Sequence, residues 1–284
     1  MSKPRKPIIA IMYDFDKTLS TKDMQEYGFI PKLGMTSKQF WGEVKELQQA
    51  ENMDPILAYL HHMLKKASEK GVRVTREAFV ALGKDIEYYP GVEDWFERIN
   101  NYGKENGVII EHYVISSGIK EIIEGSSIKK HFKKIYACDF LYNENKVAVW
   151  PKLTVNYTNK TQFLFRINKG VLDVWNDEKL NAYVPEEERR IPFRNMIYIG
   201  DGLTDVPCMK LVKVNKGQSI AVFRKRKKEI AAQLISEDRV DFITEANYCA
   251  GGELDSIVKT IIEKMATVEK LVRLHDKHKK SINK

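Results

Sequence analysis

Four short apolar runs constrain this chain more than any other feature of its sequence. Residues 8–13, 108–115, 196–199 and 219–223 are rich in β-branched and aromatic side chains, and each is followed by small or acidic residues. A run of this length and composition, closed by a turn signal, is what a strand buried on both faces looks like. Residues 134–140 form a fifth, weaker run. Between the runs, apolar residues recur at helical spacing: Val92, Trp95, Phe96, Ile99 and Tyr102, then Phe163, Leu164, Ile167 and Val171. Near the C-terminus Leu254, Ile257, Val258, Ile261, Ile262, Met265 and Val268 repeat the pattern. Strands alternating with helices predict an α/β fold built on a doubly wound, Rossmann-like parallel sheet. In such sheets ligands bind beyond the carboxyl ends of the strands.

The interval 20–88 breaks the alternation. It is helical in period, with Phe40, Trp41, Val44 and Leu47 on one face and Ile56, Leu57, Leu60 and Met63 on another. It reads as a helical insert, and Tyr89-Pro90-Gly91-Val92 reads as the hinge that returns the chain to the sheet. The expected domains are therefore a core of 1–19 and 89–284 and an inserted unit of 20–88. A second, acid-rich stretch, 176–190, reads as a surface excursion. With 284 residues, 43% apolar and 30% charged, the chain can bury one sizeable core plus a smaller domain, which excludes disorder of the whole.

Composition narrows the partners. Three cysteines, Cys138, Cys208 and Cys249, form no CxxC pair, which fits a reducing compartment, and no leader or membrane-spanning run is visible, so a cytoplasmic location is expected. The net charge of +8 gathers in Arg224-Lys225-Arg226-Lys227-Lys228 and in the tail 270–284. Solvated surface is the plain reading. Nucleic-acid binding is disfavoured, because neither run is interleaved with stacking aromatics or joined to a recognition motif. Oligomeric state leaves no mark in the sequence.

The chemistry-bearing residues cluster at strand ends. In Asp14-Phe15-Asp16-Lys17-Thr18, two carboxylates one residue apart on extended backbone project to the same side and can address one ligand. A capping turn would explain the same five residues. Ser116-Ser117-Gly118 ends the second strand, where a hydroxyl and exposed backbone N–H groups can hold a phosphate oxygen or simply cap a helix. Lys160 opens the helix that follows Thr158-Asn159, while Lys169 sits about three turns further along the same helix and points away. Gly200-Asp201-Gly202-Leu203-Thr204-Asp205 follows the third strand, and its aspartates offer the hard oxygen ligands that magnesium prefers. Four such signals in one sheet are hard to assign to four unrelated turns.

In this order, DFDKT, VISSG, the Lys160 segment and GDGLTD, the motifs resemble those of the haloacid dehalogenase superfamily, and within it the phosphatases similar to phosphoserine phosphatase. The resemblance implies a small helical cap where the insert lies. It implies Asp14 as nucleophile, Asp16 as acid and then base, and Ser116 or Ser117, Gly118 and Lys160 around the phosphoryl oxygens. It implies Mg2+ held by Asp14, the backbone carbonyl of Asp16, Asp201 and Asp205, the last as a ligand or as an anchor beside it. The implied substrate is a small phosphorylated metabolite, cleaved through an aspartyl-phosphate. Specificity is expected near Asp23, Glu26 and Tyr27, with Phe29, Lys32, Arg73 and Arg76 as further candidates. Two departures stand out: Ser117 occupies a place where such phosphatases usually carry glycine, and the insertion before Met196 lengthens the path from Lys160 to Asp201. The alternatives are a phosphotransferase or phosphomutase of the same fold, or a non-catalytic protein that binds nucleic acid or an acidic partner. The intact set Asp14, Asp16, Lys160, Asp201 and Asp205 argues against the last.

Overall fold

The computed structural model describes residues 6–282, so residues 1–5 and the last two of the basic tail lie outside the description. In chain order the elements are β1 (Ile8–Tyr13), α1 (Phe29–Lys32), α2 (Ser37–Ala50), α3 (Pro55–Glu69), α4 (Arg76–Leu82), α5 (Val92–Glu105), β2 (Ile109–Ile119), α6 (Lys120–Glu124), β3 (Phe132–Tyr142) and β4 (Ala148–Leu153). They continue with α7 (Lys160–Lys169), α8 (Asp177–Asn181), β5 (Met196–Gly200), α9 (Val206–Val214), β6 (Gln218–Phe223), α10 (Glu229–Ser236), β7 (Phe242–Glu245) and α11 (Glu253–Ile282).

Among the described residues the strands form one seven-stranded sheet in the order β4-β3-β2-β1-β5-β6-β7. All pairings are parallel except β3 with β4. The chain winds outward from β1 in both directions, to β2 on one side and β5 on the other, so the carboxyl ends of these three strands converge at the switch point. Every residue of β1 is buried. Each large side chain there contributes roughly 1.5–3 kcal/mol by leaving water, and a central strand collects that on both faces.

The five expected strands are all present. β4 and β7 carry no strand signal in the sequence, for different reasons. β4 carries Pro151 and exposes Val149 and Trp150, so it reads as a polar-flanked edge rather than a buried run. β7, Phe-Ile-Thr-Glu, is only four residues long and too short to show a period. The second motif also differs from expectation. No helix begins at Gly118; β2 runs on to Ile119, and its pairing with β3 jumps from Ile115↔Tyr136 to Ile119↔Cys138. Three residues thus face one, and this bulge lifts Ser116-Ser117-Gly118 out of the ladder.

The segment between β1 and α5 contains four helices and no strand, and it leaves and rejoins the sheet where Ser20 bridges Tyr88 antiparallel. Stretch 176–190 holds the short α8 and an exposed turn, with Trp175 and Tyr183 in solvent. Its anchor is internal: Arg166 donates to the carbonyls of Asp173 and Val174 and pairs with Asp177.

A buried polar chain pins α5 to the central strands. Trp95 Nε1 donates to the Tyr13 hydroxyl at 2.8 Å, and the hydroxyl lies 3.0 Å from His112 Nδ1. An indole can only donate, so the phenol proton goes to Nδ1, and His112 Nε2–H faces Asn100 Oδ1 at 3.2 Å. This arrangement requires a neutral imidazole. Burial, reinforced by the nearby His131, pulls the His112 pKa from 6.5 down to about 3. The unfolded chain takes up this proton as pH falls through 6.5, whereas the folded chain resists until about pH 3. His112 therefore costs stability progressively as pH drops across that window. Thermal melts of wild type and His112→Gln between pH 7.5 and 4.5 check this: the wild type loses more stability per pH unit below 6.5, and parallel curves would refute the assignment.

Candidate active site

The first strand ends in a constrained turn. Asp14 continues the ladder by donating its N–H to the Ile199 carbonyl at 2.9 Å, which seats it between β1 and β5. The chain then bends sharply: Lys17 has φ of 58°, and the N–H groups of Thr18, Leu19 and Ser20 all point at the Phe15 carbonyl. A lysine in the left-handed region is uncommon and carries a strain cost that surrounding contacts must hold. Here Lys17 Nζ pairs with Asp23 at 2.6 Å, and Met24 N–H donates to Asp16 Oδ1 at 2.9 Å, so the turn is tied to the segment that follows.

Lys160 is the centre of the polar network. It is 1% exposed, and its ammonium lies 2.8 Å from Asp14 Oδ1 and 2.8 Å from Asp205 Oδ1. The loop before α7 aims it: Asn156 accepts from Thr158 N–H and Asn159 N–H, while Asn159 accepts from Asn156 N–H. Lys169, at the far end of α7, instead donates to the carbonyls of Leu180 and Ala182. Asp205 also accepts from the Tyr198 hydroxyl at 2.8 Å, yet its other oxygen, Oδ2, is buried without any partner. That carboxylate packs against Gly200, where a Cβ would meet Asp205 Oδ2 at 2.5 Å, so only glycine fits there.

Asp14, Asp201 and Asp205 each bring one carboxylate oxygen within 4.8 Å of the others. Burial pushes the Asp14 pKa up to about 6, against the pull of Lys160 and with a further push from Asp205. Burial likewise holds Asp16 and Asp201 well above the usual carboxylate range, followed by repulsion from Asp23 and Asp14 on Asp16, and from Asp14 and Asp205 on Asp201. Lys160 keeps its charge despite desolvation, because the two carboxylates hold its pKa up. Crowded, desolvated carboxylates with one orphaned oxygen are a poor arrangement for a cation-free site and a good donor set for a hard divalent ion. The residues present fit magnesium.

On the other side of Asp16 opens a cavity of about 370 Å3 lined by Asp16, Asp23, Gln25, Trp41, Ile56, Tyr59 and Ser117, among others. The bulged second motif forms its inner wall. Ser116 is buried and its Oγ accepts from Gly118 N–H at 3.0 Å, leaving its own proton to give. Ser117 presents its carbonyl to Tyr59 Oη–H at 2.6 Å. A Cβ on Gly118 would meet Met24 Cε at 2.1 Å and Asp16 Oδ2 at 3.0 Å, so glycine lets the Asp16 carboxyl approach this strand end.

The remaining specificity candidates fare unevenly. Asp23 lines the cavity, but Glu26 and Tyr27 do not: Glu26 accepts from Ser37 and Trp41, and the Tyr27 hydroxyl is spent on Thr21, Lys22 N–H and the Glu87 carbonyl. Phe29 is buried against Phe79, and Lys32 faces solvent. Arg73 donates to the Asn145 carbonyl, and Arg76 pairs with Glu124. Position in sequence misled here, because a helix turns neighbours of a site residue away from it. Gln25, Trp41 and Tyr59 line the cavity without a signal in the sequence. Trp41 sat in a helical apolar stripe that reads as core, and nothing local sets Gln25 or Tyr59 apart.

Comparison with known proteins identifies the family. The family model of haloacid dehalogenase-like hydrolases matches residues 11–210, which include all four motifs. An uncharacterized protein of Borreliella burgdorferi is 31% identical over 277 residues, covering 88% of this chain and 95% of that one. Among solved structures, a HAD family hydrolase from Salmonella enterica serovar Typhi superposes with a TM-score of 0.55 at 16% identity, over 91% of this chain and 73% of the other. A phospho-aspartyl intermediate analogue of phosphoserine phosphatase gives 0.51 at 17% identity, over 90% and 99%. At such identities these two likenesses speak for the fold alone. The family match over most of the length settles membership: this chain is a hydrolase of the haloacid dehalogenase-like family.

Proposed function

We propose that the chain is a magnesium-dependent phosphohydrolase that cleaves a small phosphomonoester through an aspartyl-phosphate on Asp14. The observation that carries this reading is Lys160, whose buried ammonium bridges Asp14 and Asp205 at 2.8 Å each. A cation fixed against a carboxylate that must meet a phosphate dianion lowers the repulsion between them.

In the first half-reaction an Asp14 oxygen attacks phosphorus, the P–O bond to the leaving group breaks, and Asp16 gives that oxygen its proton. The raised pKa of Asp16 keeps the proton available. In the second half-reaction Asp16 takes a proton from water, the water oxygen attacks phosphorus, and the acyl phosphate P–O bond breaks to free phosphate and Asp14. Ser116 and Lys160 donate to the phosphoryl oxygens, with Ser117 and Gly118 shaping the strand end beside them. Asp14, Asp201 and Asp205, with the Asp16 carbonyl, would hold Mg2+, which would offset the phosphate's charge against the carboxylates.

The helices of 20–88 act as the cap, and the leaving group enters the cavity between Asp16, Ser117, Trp41 and Tyr59. Closure there excludes water while Asp14 is being phosphorylated. Asp23, which lines that cavity, supplies specificity. Among the described residues no helix is long and apolar enough to cross a membrane, and the three cysteines are unpaired. A reducing, cytoplasmic setting suits that chemistry.

Hydrolysis of a generic aryl phosphate tests the reading directly: with Mg2+ the wild type turns over, and Asp14→Asn falls by at least about a thousandfold. Equal turnover in the variant would remove Asp14 as the nucleophile, and phosphate release strictly dependent on an added alcohol acceptor would replace hydrolysis by phosphotransfer. Asp16→Asn separates the two half-reactions, because an aryl leaving group departs without a proton while water still needs a base. Acid-quenched mass spectrometry is expected to show phosphorylated chain accumulating in that variant, and its absence would reassign the base. Added Mg2+ stabilises the folded chain by about 2.7 kcal/mol at a hundredfold excess over Kd, read as several degrees in Tm. Asp201→Asn is expected to abolish that shift; an undiminished shift places the ion elsewhere.

A further inference from the structure

The basic run that the chemistry above leaves unused lies at the rim of the site. β6 is the neighbour of β5 in the sheet, and its carboxyl end leads straight into Arg224-Lys225-Arg226-Lys227-Lys228. The run is folded back in a turn: Lys227 N–H donates to the Arg224 carbonyl at 2.8 Å, and Arg226 takes φ of 65°. The turn brings Arg224 and Lys227 to one side. Together with Lys17, Thr21, Tyr89 and Asp201 they line a cavity of about 220 Å3, floored by β6 and α10. The lining thus combines a candidate magnesium ligand with two exposed cations.

Their charge is uncommitted. Lys17 is paired with Asp23, but Arg224 and Lys227 make no ion pair among the described residues. Lys228, by contrast, lies over the Phe223 ring, 5.7 Å from its centroid. Tyr89 lines the same cavity as Asp201 and Arg224. Two unpaired cations facing a hollow that opens on a phosphoryl-transfer site form an anion receptor, and a guanidinium suits phosphate or carboxylate by presenting parallel N–H groups.

We propose that Arg224 and Lys227 form a second anion subsite, so that the preferred substrate is a phosphate ester carrying a further phosphate or carboxylate group. This rests on the phosphohydrolase reading above. Binding energy gained at the distal anion is spent on seating the reacting phosphate, which lowers KM and, where it fixes orientation, raises kcat.

The test uses the full chain with Mg2+ and three matched series of two to four carbons: ω-hydroxyalkyl phosphates, ω-carboxyalkyl phosphates and alkanediol bisphosphates. In the wild type the best second-anion substrate is expected to exceed its hydroxyl counterpart at least tenfold in kcat/KM, and the two anionic series tell phosphate from carboxylate. In Arg224→Gln/Lys227→Gln that ratio is expected to collapse toward one, mainly through KM, with an unchanged circular dichroism spectrum certifying the fold. Lys225→Gln/Lys228→Gln removes the same charge from the same run and is expected to retain the ratio. An equal collapse in this control would show general attraction rather than a subsite, and would overturn the proposal, as would a wild-type ratio near one. Aryl phosphate turnover keeps the two failures apart: if it survives Asp14→Asn the phosphohydrolase reading falls, and if it is lost there while no second-anion preference exists, only the subsite falls.

Discussion

Everything at the carboxyl edge of this sheet depends on one buried cation. Asp14, Asp201 and Asp205 approach one another within 4.8 Å in a setting where burial alone raises carboxylate pKa values. Without compensation, that many anions would either take up protons or push apart. The Lys160 ammonium holds Asp14 and Asp205 together from inside the fold, where water does not screen it. The pair is therefore worth more as organisation than as stability, since desolvating the charges costs much of what their attraction returns. What it leaves is the Asp14 carboxylate fixed in place and one oxygen on Asp205 buried without a partner.

That arrangement explains features scattered along the chain. Gly200 is needed because the Asp205 carboxyl leans on it, and the asparagine-rich loop before α7 exists to aim one side chain. The bulge in β2 serves the same end. By taking three residues out of the ladder it frees a hydroxyl and lets the Asp16 carboxyl approach Gly118. Two hollows then flank the aspartates. One lies toward the helical insert with mostly apolar walls, and the other lies under the β6 turn with cationic ones.

The legibility of these parts followed the range of the forces involved. Strands buried on both faces were readable because burial writes itself into local composition, residue by residue. Lys160 was separable from Lys169 because helix geometry fixes which end of a helix faces the strand tips. β4 escaped because an edge strand with Pro151 and an exposed Trp150 carries no burial signal. Glu26 and Tyr27 were placed near the site by sequence proximity, yet their polar atoms are consumed by neighbours in the fold. Tyr59 reaches Ser117 across 58 residues, and no short-range pattern announces such a contact.

By itself the sequence determined the class of fold, the positions of Asp14, Asp16 and Asp201 just past strand ends and of Lys160 at a helix start, and the helical character of the stretch after the first strand, because hydrophobic period and turn chemistry act over a few residues. Only the tertiary structure decided which carboxylate oxygen meets the ammonium and which is left bare. It alone decided which side chains of the insert line the cavity, and that a basic run distant in sequence stands beside Asp201. These depend on strand order and on the direction each side chain takes after packing, and both are set by contacts between residues far apart in the chain.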